Sequence, residues 1–158
     1  MAHLNNGDAF PNLTLDTVAD GTLSVRHHLA GSYGAVLIYR GSWCPYCNAQ
    51  LAAFARAKAK LDELGLKVVA LSVDNKADAA ALVEKHSLNF PVGYGVDAEK
   101  IAASSGAYVN DSPPYLQSTG FVLDPNGKVI TAVYSSGAIG RLVAEDVIGF
   151  VRYVKSKT

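Results

Sequence analysis

Cys44 and Cys47 are the only cysteines in a chain of 158 residues, and only Pro45 and Tyr46 separate them. A thiolate, not a thiol, is the nucleophile in sulfur chemistry. A cysteine at a helix N-terminus meets the partial positive charge of the helix, which favours the anion. Its pKa then falls from about 8.5 into a range of roughly 3.5–7.5. One cysteine of such a pair becomes reactive near neutral pH, and the other, one turn away, can attack the first intermediate and close a disulfide. No outside resolving thiol is required. A zinc site takes about four ligands. Beyond the pair the chain offers only the separated His3, His86 and the adjacent His27-His28. We expect no metal and no cofactor. Two cysteines cannot staple a domain of this size, so they are read as chemistry in a reducing compartment, the cytoplasm.

The elements around the pair suit that chemistry. Residues 35–39 form a continuous apolar run, the mark of a strand buried on both faces. The loop Arg40-Gly41-Ser42-Trp43 follows it. Pro45 fits the first position of a helix, where its missing N–H has no intrahelical partner. Cys44 then stands near the N-cap and Cys47 in the first turn. Cys47, Leu51, Phe54, Lys58, Leu61 and Leu64 fall on one stripe. The stripe predicts one long helix, stopped near Gly65. In parallel α/β sheets, ligands gather beyond the C-terminal ends of strands. Arg40 adds positive charge there if it points inward.

The remaining pattern predicts the frame. Residues 13–15 and 22–24 read as a hairpin around Ala19-Asp20-Gly21. Residues 67–73 read as a second buried strand, and 77–86 as a helix capped by Asp74 or Asn75. A short extended piece at 90–92 and a helix at 97–104 come next. Residues 120–124 and 128–134 read as strands joined by the turn Pro125-Asn126-Gly127. Val143, Val147, Phe150, Val151 and Val154 share one face of a C-terminal helix. The fold class is α/β: a mixed central sheet flanked by helices, with an N-terminal β-hairpin. We expect a single domain over residues 1–158, without internal repeats.

Composition narrows the function. The chain is 49% hydrophobic and 18% charged, as in ordinary globular proteins, and its formal net charge is zero. No basic run or net field invites nucleic acid or an anionic membrane surface. No apolar stretch approaches the length of a membrane span. The opening residues lack the basic and apolar regions of a secretory signal.

At these residues the sequence resembles the thioredoxin superfamily. It is more closely similar to the peroxiredoxin-like group, the alkyl hydroperoxide reductase and thiol-specific antioxidant family. The likeness runs through Gly7-Asp8-Ala9-Phe10-Pro11-Asn12-Leu13-Thr14-Leu15, residues 39–47, Phe90-Pro91-Val92 and residues 121–127. The Cys-Pro-Tyr-Cys form itself is typical of glutaredoxins. The resemblance implies a thioredoxin fold and a thiol peroxidase. In it Cys47 attacks a hydroperoxide, becomes a sulfenic acid and condenses with Cys44. That family usually carries Pro-x-x-x-Thr/Ser-x-x-Cys. Here Arg40 stands in place of the Pro and Cys44 in place of the Thr or Ser. The family also has an Arg just before the strand at Phe121, where this chain has Gln117-Ser118-Thr119-Gly120. A rival reading is a thioredoxin- or glutaredoxin-like thiol–disulfide oxidoreductase with Cys44 as nucleophile. Thr119 then falls near the position of the thioredoxin cis-proline. A third is a non-catalytic redox sensor or binding module on the same scaffold.

The resemblance names the partners: a hydroperoxide or disulfide substrate, and a thiol reductant of thioredoxin, glutaredoxin or glutathione type. An exposed apolar surface beside the loop would point to a homodimer. Cys47, Cys44 and Arg40 are the expected catalytic residues, and Trp43, Pro45, Tyr46 and Thr119 the expected substrate-binding ones. Trp43 either forms substrate surface or half-covers the loop. Tyr46 reads as helix surface. Tyr115, after Pro113-Pro114, lies near the active-site face by analogy. His86 is expected as a favourable cation at a helix C-terminus, and Arg141 on a solvent-exposed helix.

Overall fold

The computed structural model describes residues 3–158; Met1 and Ala2, the start of the opening segment, lie outside the described residues. The strands are β1 (Thr14–Thr17), β2 (Thr22–Ser24), β3 (Tyr33–Ile38), β4 (Leu66–Leu71), β5 (Val92–Tyr94), β6 (Val109–Asp111), β7 (Pro114–Leu116), β8 (Thr119–Leu123) and β9 (Val129–Tyr134). The helices are α1 (Val25–Leu29), α2 (Pro45–Arg56), α3 (Lys58–Glu63), α4 (Lys76–His86), α5 (Ala98–Ser105) and α6 (Ala144–Ser156). Seven strands form one sheet in the order β2-β1-β5-β4-β3-β8-β9. β3, β4 and β5 run parallel, while β8 pairs antiparallel with both β3 and β9. β1 joins as the N-terminal hairpin with β2 and pairs antiparallel with β5. The expected mixed sheet flanked by helices is present.

The apolar run in β3 serves both faces of this sheet because side chains alternate along a strand. Ala35 and Leu37 join a core with Leu51, Phe54, Leu61, Val147 and Val151, under α2, α3 and α6. Val36 and Ile38 join a second core with Phe10, Leu15, Leu71, Ile101 and Phe121 on the opposite face. Both faces being covered, the C-terminal end of β3 opens into the loop of Arg40, Gly41, Ser42 and Trp43.

Three expectations change in the structure. The long helix is two helices, broken at Ala57, where ψ is 4°. Lys58 is exposed and pairs with Asp62 at 3.2 Å, so it leaves the apolar stripe, while Leu61 and Leu64 stay buried. The bend thus keeps a charge in water without surrendering the core contacts. Val143 caps α6 and is 51% exposed rather than lying on its buried face. Two short elements had no periodic signal: α1, capped by the Ser24 side chain, and the β6–β7 hairpin, a separate two-stranded sheet. That hairpin holds the cis peptide bond Ser112–Pro113. Among the described residues no helix is long and apolar enough to cross a membrane.

Candidate active site

β3 delivers the chain to the site. Beyond Ile38, Tyr39 is buried and Arg40 begins the loop. The Cys44 N–H donates to the Gly41 carbonyl at 3.1 Å, closing a turn. A Cβ on Gly41 would lie 2.2 Å from Nε1 of Trp43, whose indole folds back over the backbone, so any side chain there displaces the indole. Cys44 is the N-cap of α2, and its Sγ accepts from the Cys47 N–H at 3.3 Å. A sulfur therefore fills the capping role usually played by a Ser, Thr, Asp or Asn oxygen. Pro45 follows at the first position, as its chemistry predicts. This cap brings the two sulfurs to 2.8 Å. Both cysteines are free and fully buried.

Two guanidinium groups converge on the pair. Arg40 turns inward: Nη1 donates to Cys44 Sγ at 3.8 Å, Nε to Gln117 Oε1 at 3.0 Å and Nη2 to the Tyr115 hydroxyl at 3.1 Å. Its cation also lies 4.8 Å from the Trp43 ring centroid and 5.3 Å from that of Tyr115, contacts the ring quadrupoles favour. Trp43 and Tyr115 meet edge to face at 5.0 Å. The Arg40 backbone N–H donates to Cys47 Sγ at 3.4 Å. Arg141 Nη1 reaches the same sulfur at 3.4 Å, with Nη2 donating to the Ala138 carbonyl. Each sulfur thus has one backbone N–H and one guanidinium.

The charge is shared unequally. Burial pushes the Cys44 thiol up, but hydrogen bonds from the Cys47 thiol, the Cys47 N–H and Arg40, with the Arg141 charge, outweigh it and hold it below the ordinary thiol value. Burial pushes the Cys47 thiol up, and its hydrogen bond to Cys44 adds to that against the Arg40 N–H and Arg141. The pair first ionises as one anion with one proton along the 2.8 Å sulfur–sulfur line.

Of the expected site residues, Cys44, Cys47, Arg40 and Trp43 come together. Pro45 and Tyr46 lie on the exposed side of the helix start, Tyr46 52% exposed. Thr119 begins β8 and is buried, its hydroxyl donating to the Gln117 carbonyl; Gln117, two residues earlier, is the side chain that meets Arg40. Arg141 is a correction. It stands in the turn before α6, half-buried against Cys47, not on an exposed helix. Ser135-Ser136-Gly137 and Gly140 signal a loop there, but nothing local tells where that loop points.

Asp74 clamps the loop from below. Its carboxylate accepts the Ser42 N–H at 2.8 Å, while Asn48 Nδ2 donates to the Ser42 carbonyl at 3.1 Å. Burial holds the Asp74 carboxyl above its ordinary value despite the Ser42 bond. A carboxyl with a raised folded pKa binds its proton more tightly in the folded state. Its contribution to stability is full below the unfolded value and is lost as pH rises through the folded one. Asp74→Asn retains an acceptor for Ser42 without the buried charge. In urea titrations the variant is expected to gain stability relative to wild type as pH rises from the acid range to neutrality. A difference that does not change with pH overturns this account.

Residues 6–132 match the model of the AhpC/TSA family. The chain belongs to the AhpC/TSA family. A peroxiredoxin of Treponema denticola is 29% identical over 154 residues, covering 95% of this chain and 72% of that protein. Peroxidoxin BcpB from Mycobacterium tuberculosis superposes with a TM-score of 0.83 at 17% identity, covering 96% of this AhpC/TSA chain and 99% of the other. A yeast mitochondrial 1-Cys peroxiredoxin, solved to explain thiol resolution via glutathione/thioredoxin systems, superposes with a TM-score of 0.81 at 19% identity, covering 96% and 76%. This AhpC/TSA member is a thiol-dependent peroxidase with the thioredoxin fold of its neighbours. Arg141 lies beyond the residues matched to the family model.

Proposed function

We propose that Cys47 is the sulfur that attacks the peroxide and that Cys44 resolves the product. The observation that supports this reading is the closer guanidinium on Cys47 Sγ, Arg141 at 3.4 Å against 3.8 Å from Arg40 to Cys44 Sγ, together with the Arg40 N–H and with Cys44 Sγ 2.8 Å away. With the shared proton on Cys44, the Cys47 thiolate attacks the terminal oxygen of a hydroperoxide. The S–O bond forms, the O–O bond breaks, and its electron pair goes to the departing oxygen. The Cys44 thiol gives that oxygen its proton, releasing water or an alcohol and leaving a Cys44 thiolate. Cys44 then attacks the Cys47 sulfenic acid; the S–S bond forms and hydroxide leaves. Preorganised donors aimed at a charged sulfur act strongly in a buried site. The sulfurs already touch, so the helix start need not unwind to close the disulfide.

A thiol reductant of thioredoxin, glutaredoxin or glutathione type returns the pair to the dithiol by exchange. A dithiol regenerated after each turnover suits a reducing compartment such as the cytoplasm. The lowered pKa of Cys44 favours a second reading, in which Cys44 leads an attack on a disulfide substrate. A thiol titration separates the two. One equivalent of hydrogen peroxide is expected to consume both thiols of the reduced protein within seconds. A titre lost only to a disulfide substrate overturns the peroxidase mechanism.

A further inference from the structure

We propose that Gln117 and Tyr115 are positioning residues that hold the Arg40 guanidinium against Cys44 through uncharged groups, so that its positive charge remains available to the sulfur that closes the disulfide. This inference rests on reading Cys44 as the resolving thiol. Gln117 Oε1 accepts from Arg40 Nε at 3.0 Å and the Tyr115 hydroxyl from Nη2 at 3.1 Å, which leaves Nη1 for Cys44 Sγ at 3.8 Å. The guanidinium is a rigid planar fork, so fixing two of its nitrogens fixes the third. Trp43 and Tyr115 add ring faces at 4.8 and 5.3 Å from its centre. Every one of these partners is neutral. Among the described residues no carboxylate lies within ion-pair distance of Arg40.

The tether is itself held. Gln117 is buried; its N–H donates to the Tyr108 carbonyl at 2.8 Å and its carbonyl accepts the Thr119 hydroxyl at 3.1 Å. Gln117 thus reaches Arg40 from a backbone tied on both sides. A carboxylate beside an arginine offsets its charge, and the field on a third group falls. An amide oxygen and a phenol fix the same fork without that loss. After the peroxide step Cys44 stands as a thiolate, and Arg40 is the cation on it. That thiolate attacks the Cys47 sulfenic acid; the S–S bond forms, the S–O bond breaks and hydroxide leaves. The charged and titratable groups around Cys44 are Cys47 on its own helix, Arg40 and Tyr39 from the end of β3, Asp74 beyond β4, Tyr115 from β7 and Arg141 before α6. The Gln117 side chain hydrogen-bonds Arg40 alone among them.

The test reads Cys44 in the full-length Cys47→Ser protein by the pH profile of its alkylation with iodoacetamide. It then reads disulfide closure in the two-cysteine protein, after hydrogen peroxide, by stopped-flow fluorescence of Trp43. Gln117→Glu keeps the shape and the hydrogen bond but adds a carboxylate. It is expected to move the alkylation profile up by about one pH unit, the low end of what one neighbouring charge does to a titrating group. Below the midpoint, about ten-fold less thiolate, offset by the higher nucleophilicity of a more basic sulfur, slows closure about three-fold. Gln117→Leu and Tyr115→Phe each free one corner of the fork and are expected to shift the profile upward by less. In an Arg40→Met background these two are expected to change nothing further. An unmoved profile in Gln117→Glu makes Gln117 a structural tie and overturns the proposal, as does an equal shift for Gln117→Leu with and without Arg40. Shifted profiles with closure unchanged overturn the role in the resolving step. Shifted profiles in a protein whose thiols ignore hydrogen peroxide overturn the peroxidase reading instead. If Gln117→Leu does not fold, Gln117→Glu and Tyr115→Phe decide.

Discussion

Cys47→Ser is expected to lower the rate of peroxide reduction at least about a thousandfold, the scale on which loss of a nucleophile usually registers. Cys44→Ser is expected to keep the first oxidation and lose turnover. The reason lies in the separate duties of the two sulfurs. Cys47 Sγ receives the Arg40 N–H and Arg141. A serine hydroxyl there stays protonated at neutral pH and attacks nothing. Cys44 caps α2 through its Sγ, and a serine oxygen accepts the same N–H, so the helix start survives. What disappears is the thiol that closes the disulfide. In single-turnover stopped flow, Cys44→Ser is expected to form one sulfenic acid, trapped as a dimedone adduct on Cys47 and located by mass spectrometry. An adduct on Cys44 in the Cys47→Ser protein, formed at the wild-type rate, reverses the assignment.

Arg141→Gln is expected to slow oxidation by about a hundredfold. Removing one preorganised donor from a buried centre of developing charge typically costs about 10²–10³ in rate. Arg141 supplies the only guanidinium that touches Cys47 among the described residues, whereas Arg40 holds Cys44, Gln117 and Tyr115 together. Its loss raises the pH at which Cys47 reacts. Iodoacetamide alkylation of the Cys44→Ser protein is therefore expected to shift its pH profile upward when Arg141→Gln is added. Arg141→Lys keeps the charge but not the fork that reaches both Cys47 and the Ala138 carbonyl. It is expected to recover part of the rate. An unchanged alkylation profile in Arg141→Gln makes Arg141 a structural tie of its loop and nothing more.

Features written in neighbouring residues are legible in the sequence itself. The cysteine spacing, the Pro45 start, the alternating faces of β3 and the turn at Pro125-Asn126-Gly127 are each set by a few adjacent side chains and by helix or strand period. The strand–loop–helix that carries the pair follows from them, and so does the mixed sheet. Features decided by long-range packing are not legible there. The break at Ala57 depends on what Leu61 and Leu64 meet in the core, which no helical stripe specifies. The β6–β7 hairpin becomes part of the site only because Tyr115, 75 residues from Arg40, accepts its guanidinium. Arg141 comes to Cys47 across 94 residues of chain. The seating of α6 on the sheet, through Val147 and Val151, sets where the loop before it can reach. Sequence alone therefore determined where the two sulfurs stand at the start of a helix and the frame that holds them. Tertiary structure decided which cations face them, because a charge acts through space on whatever the packed core brings near it.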